Sequence, residues 1–95
     1  MSKALELDPY LARANGYMGA IRRRQGRVQE AVSYLRKAVE MQPEWAMPYL
    51  ELGRSYKLIE DLDKARTALK RGLALDPVNA EMRALLRELS AGPSP

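Results

Sequence analysis

The sequence contains no cysteine and no histidine. Their absence removes disulfides, thiolate nucleophiles, imidazole bases and nearly every zinc site, and leaves carboxylates as the only metal ligands. No apolar run approaches the roughly 18 residues that a membrane span needs. The opening stretch, MSKALELDPY, has no signal-peptide core. A Gly-rich phosphate loop, a nucleophile elbow and a paired acid/base arrangement are also missing. Sixteen Lys and Arg stand against twelve Asp and Glu, an excess too small to mark a nucleic-acid binder by itself. These absences predict a non-enzymatic, cytoplasmic chain with no metal, no cofactor and no membrane segment. With 46% apolar residues, a chain of this length buries a small core, roughly 60 to 65% of its unfolded surface.

What is present is a repeat. Pro9, Pro43 and Pro77 are separated by 34 residues and by 34 again, and proline ends a helix because it lacks the N–H and clashes with the carbonyl four residues back. Sliding the chain by the same interval lays Ala12 on Ala46, Gly19 on Gly53, Ala31 on Ala65 and Leu35 on Leu69. It also lays KALELDP from Lys3 over KAVEMQP from Lys37. The expected organisation is one domain over 1–89: the end of a preceding helix (1–11), two repeats (12–45 and 46–79) and a capping helix (80–89), with a disordered tail over 90–95. An opening inside a half unit is expected of a fragment, or of a short member of a larger array.

Each unit reads as two helices. Val28, Ala31, Val32, Leu35, Ala38 and Val39 recur at three- and four-residue steps, an amphipathic stripe. The half before it, from about Leu11 to Gln25, carries a weaker stripe of Leu11, Ala14, Met18 and Ile21. Between the two, Gly26 is placed to take a left-handed conformation at low cost. Glu60 stands at that place in the second unit, at a penalty if the turn needs positive φ. Asp61 is expected to cap the helix that follows. Glycine inside a helix costs about 1 kcal/mol relative to alanine, so Gly19 and Gly53 predict a close approach of the paired helix, opposite Ala31 and Ala65. Arg87 at the third equivalent position predicts a cap with a polar outer face.

These residues resemble the tetratricopeptide repeats, helix-turn-helix units of 34 residues. The resemblance rests on Leu52-Gly53 between Tyr49 and Tyr56, with Ala65, Leu69 and Pro77, and on Met18-Gly19, Ala31, Leu35, Ala38 and Pro43. Asn15 and Arg22 depart from it, standing where the family prefers aromatics. It implies an all-α, right-handed solenoid of antiparallel helix pairs, with two full repeats and half units at both ends. It further implies a concave surface lined by the first helix of each unit. Chaperone-binding members carry a Lys and Asn clamp for a C-terminal carboxylate. Here Gly16, Ala20 and Glu51 occupy those places, so chaperone-tail binding is not expected.

Other patterns have plainer readings. Arg22, Arg23 and Arg24 close the first helix against its dipole, a ligand contact being the alternative. Glu60, Asp61 and Asp63 lack the spacing and glycine of a calcium loop. Tyr49 and Tyr56 are read as core, and Trp45 as a staple before a helix.

Helical spacing then places Arg13, Gly16, Ala20 and Arg23 on one strip of the groove, Met47, Leu50, Arg54 and Lys57 on the next, and Glu81, Ala84 and Glu88 on the cap. The expected peptide-binding residues are Arg13, Ala20, Arg23, Met47, Leu50, Arg54 and Lys57. The partner they suit is a protein or peptide that is acidic and partly apolar. A weak nucleic-acid binder is the alternative, although the basic residues are scattered among glutamates. A third reading is homo-oligomerisation through the N-terminal end, where Ala4, Leu5 and Leu7 form an apolar face with no partner helix.

Overall fold

The computed structural model describes residues 9–91. They form five helices: α1 (Pro9–Arg24), α2 (Val28–Met41), α3 (Met47–Leu58), α4 (Leu62–Leu75) and α5 (Ala80–Ala91). No strand occurs among the described residues, and no helix among them is long and apolar enough to cross a membrane. Short turns fold α1 against α2 and α3 against α4, α5 closes over α4, and α1, α3 and α5 lie side by side. The result is an all-α helical-repeat solenoid.

The turns inside the two units are built alike. At the end of α1, Arg27 N–H donates to the Arg22 carbonyl at 2.8 Å and Gly26 N–H to the Arg23 carbonyl at 2.9 Å. At the end of α3, Asp61 N–H donates to Tyr56 and Glu60 N–H to Lys57, at 2.9 and 3.0 Å. Both are Schellman motifs, which need a left-handed residue. Gly26 supplies it at φ +81° and Glu60 at φ +61°, so the second unit does carry the penalty its sequence implied. Asp61 accepts from Lys64 N–H at the start of α4, and Asn79 from Met82 N–H at the start of α5.

α1 already covers residues 9–11, ahead of the helix expected from about Leu11, and Leu11 stands where Asn79 caps α5. α5 runs to Ala91, so residues 90 and 91 are helical instead of belonging to a tail. Ala4, Leu5, Leu7 and residues 92–95 lie outside the described residues.

The interior holds two buried clusters along the array, with half-buried Tyr56 packed against both. Ala31, Val32 and Leu35 of α2 meet Tyr49 and Leu52 of α3, and Leu50, Ala65 and Leu69 meet Met82 and Leu89 of α5. The glycines do mark close approach: most tightly to leucine one turn beyond the expected alanines, and at Gly19 also to the Ala31 carbonyl, 3.2 Å from where a Cβ would sit. A Cβ on Gly19 would sit 2.5 Å from Leu35 Cγ, and one on Gly53 would sit 2.6 Å from Leu69 Cδ2.

The stripe read on α1 is not its buried face. Leu11 and Ile21 are 45% and 43% exposed, and α1 instead buries the small residues Ala12, Gly16, Gly19 and Ala20. Small side chains let helices approach closely. The larger ones are left on the outer flank.

Candidate functional site

α1, α3 and α5 present their side chains to one common face, and charged groups of the expected groove meet there. Arg23, in the last turn of α1, donates through Nε to Glu51 Oε1 on α3 at 2.6 Å. The other oxygen of Glu51 faces Arg54 Nη1 at 3.4 Å. Arg54 reaches on through Nη2 to Glu81 of α5 at 2.5 Å, and Lys57, one turn later, donates to Glu88 at 2.6 Å. An ionic ladder thus crosses three helices.

Its rungs are not equivalent. Glu51 is only 5% exposed and holds two guanidiniums, so removing it would strand Arg23 in a poorly solvated place. The pairs to Glu81 and Glu88 are open to water, where such contacts contribute about 0 to 1 kcal/mol each. Those two carboxylates are therefore replaceable by carboxylates of another molecule.

The expected site residues divide accordingly. Arg23, Arg54 and Lys57 are brought together, each already paired. Met47 lies half-buried at the near end, beside Gly16 and Trp45. A Cβ on Gly16 would meet the Trp45 ring at 2.6 Å, and that ring stands edge-on to Tyr17 with centroids 5.6 Å apart. Arg13 is exposed on α1. Ala20 and Leu50, expected in the groove surface, are instead 8% and 7% exposed and belong to the packing: Leu50 is turned into the α4–α5 core with Leu69, Met82 and Leu89. The groove is ionic along its middle, not apolar as its composition implied.

Sequence reasoning missed the carboxylate partners. A signal existed, since Arg23, Arg54 and Lys57 each precede their acid by 27 to 31 residues. That separation is a little under one repeat, the distance between facing sites on successive first helices. No group of three or more acidic side chains placed to hold a metal ion is gathered among the described residues.

A family model for the tetratricopeptide repeat matches residues 10–77. The Hsp70-Hsp90 organizing protein of Triticum aestivum is 37% identical over 62 residues, 65% of this chain, and the chain spans 11% of that protein's length. Among solved structures, the first TPR of Spaghetti (RPAP3), bound to the HSP90 peptide SRMEEVD, superimposes with a TM-score of 0.84 at 25% identity. The match covers 88% of this chain and 67% of that one.

Proposed function

The chain belongs to the tetratricopeptide repeat family, and on that premise we propose that it is a non-catalytic interaction module, a scaffold or assembly element whose concave face receives a segment of another protein. The observation that carries this reading is the pair of cations Arg54 and Lys57: Lys57 is held by the exposed carboxylate of Glu88, and Arg54 is shared between the buried Glu51 and the exposed Glu81. An acidic segment takes over those cations at little net cost, because one surface ion pair is exchanged for another. Met47, beside Trp45, supplies apolar contact at the near end, and Arg13 adds charge on the rim. Arg23 acts indirectly by fixing Glu51, while Ala20 and Leu50 support the surface from beneath.

The similar solved structure holds an acidic peptide, and that supports the class of partner. The chemistry of the site differs from a carboxylate clamp, though. Glu51 puts negative charge, and Ala20 and Gly16 put no polar side chain, where a terminal carboxylate would need donors. The fit is better to acidic side chains within a segment than to a free C-terminus.

Fluorescence anisotropy tests this with two labelled probes: SRMEEVD, and an amidated peptide of Glu, Leu and Met. The amidated probe is expected to bind, and Arg54→Glu to weaken it by about 1 to 3 kcal/mol without changing the helical spectrum. SRMEEVD is expected to bind no better than its own amide. Indifference of a bound probe to Arg54→Glu combined with Lys57→Glu overturns the reading. Binding to unrelated oligonucleotides that falls steeply with salt would favour the nucleic-acid alternative instead.

A second reading, self-association with another copy, is supported by the exposed Leu11, Tyr17 and Ile21 on the flank of α1. Light scattering that shows only monomer at high concentration, unchanged by Ile21→Lys, removes it.

A further inference from the structure

The second helices of the two units leave an opening that the concave site does not use. α1 packs on α3 and α3 on α5, whereas α2 and α4 are not in close packing contact. A trough therefore lies open between α2 and α4 on the face opposite the ladder, with α3 as its base. Its volume is about 300 Å³. Tyr49 and Leu52 form the floor and Tyr56 a wall, while Arg36 of α2 faces Lys64 and Arg71 of α4 across the rim.

The charges here are unlike those of the ladder. No carboxylate among the described residues pairs with Arg36 or Arg71. Lys64 has only a 3.8 Å contact to Asp61 and lies 5.8 Å from the centroid of the Tyr56 ring. Three cations thus surround an aromatic and aliphatic floor. An opposite charge placed between them gains attraction without displacing an existing partner.

We propose that this trough is a second docking site, which takes an acidic segment of a partner protein by seating one large apolar side chain between Tyr49 and Tyr56. Carboxylates on either side of that anchor pair with Arg36 across α2 and with Arg71 and Lys64 across α4. Arg36 and Arg71 are the specificity-determining groups, because a guanidinium holds a carboxylate with two bonds. The volume matches the lower limit of about 300 Å³ for small-molecule sites, and the trough is open to solvent. It also adjoins a second depression that shares Arg36 and continues along α2 past Ser33 and Gln29. Such a run accommodates an extended or helical polypeptide and not a compact ligand.

The aromatic lining of this trough belongs to the second unit. Its floor needs aromatic residues on a first helix, and the positions of Tyr49 and Tyr56 are held in the first unit by Asn15 and Arg22. Asn15 is bonded to the Leu11 carbonyl and Arg22 to Gln25.

The test uses the full chain, ¹⁵N-labelled, titrated with an acetylated and amidated peptide in which one Phe is flanked by glutamates. Amide shifts are expected to concentrate on α2, α4 and the trough side of α3. Arg36→Glu combined with Arg71→Glu is expected to weaken binding by about tenfold or more, and Arg54→Glu by less than about twofold. Phe→Ser in the probe removes the anchor and is expected to abolish saturation without altering the protein. Affinity that survives the Arg36 and Arg71 reversals overturns the proposal, as does the absence of saturable shifts up to about 1 mM, a very weak affinity. Shifts confined to the ladder and sensitive to Arg54→Glu overturn it too, while leaving the concave site standing.

Discussion

A methyl group on Gly53 would lie 2.6 Å from Leu69 Cδ2, and Leu69 is fully buried, so neither side chain has room to yield. Gly53→Ala is expected to cost about 1 to 3 kcal/mol by overpacking. Arg87→Ala, at the equivalent but exposed position of α5, is expected to stay within about 0.5 kcal/mol. Thermal melts of the two variants compare them directly, and equal losses would refute the close-approach explanation. Glu60 makes the opposite case, since its φ of +61° is a glycine conformation held by a side-chain-bearing residue. Glu60→Gly is expected to raise stability by about 1 kcal/mol, the penalty L-residues carry in that region. Ser55 is fully buried, and its hydroxyl has no hydrogen-bond partner among the described residues. Ser55→Ala should be neutral or stabilising, because the desolvated hydroxyl gains nothing in return. A lower melting point for Ser55→Ala would show that the hydroxyl is satisfied.

At the scale of the element, α3 is the helix on which both units depend. One side enters the core through Tyr49 and Leu52, and another carries Glu51 and Arg54. Glu51→Gln keeps the shape but removes the charge that Arg23 faces at 2.6 Å. A loss of about 1 to 3 kcal/mol is expected in chemical denaturation, and Arg23→Met made alongside it should recover part of the loss by removing the stranded cation. If the double variant is no more stable than Glu51→Gln, the loss does not come from the stranded Arg23 cation. The outlines of α2 to α5 were legible because proline spacing, Gly26 and Asn79 act within a few residues of the backbone they shape. The extent of α1 was less so, because Leu11, at the position where Asn79 caps α5, offers no cap and residues 9–11 are already helical.

For the molecule as a whole, each helix pair is supported mainly by its neighbours, as in any stacked array. α5 therefore matters beyond its own length. Its Met82 is fully buried against Leu50, Ala65 and Leu69, and its sulfur occupies the space that a Cβ on Gly72 would need. Met82→Ala is expected to cost about 2 to 5 kcal/mol. Hydrogen exchange should show amides of α4 losing protection before those of α2, and uniform loss across all helices would argue instead for a single cooperative unit.

The sequence by itself determined the period, the pairing of helices and the special positions of each turn. Equal spacing of Pro9, Pro43 and Pro77 and the matched glycines are intervals along one chain, and the Schellman turns at Gly26 and Glu60 involve only adjacent residues. The tertiary structure decided how each helix is rotated about its axis and which charges meet. Rotation depends on the packing on both sides of a helix, so α1 buries Ala12 and Gly19 while Leu11 and Ile21 face outward. Pairing depends on distances between helices, so Arg23, Arg54 and Lys57, alike in sequence to the unpaired Arg36 and Arg71, are already held by Glu51, Glu81 and Glu88. The trough between α2 and α4 follows from the same cause: first helices that pack together on one face leave second helices apart on the other.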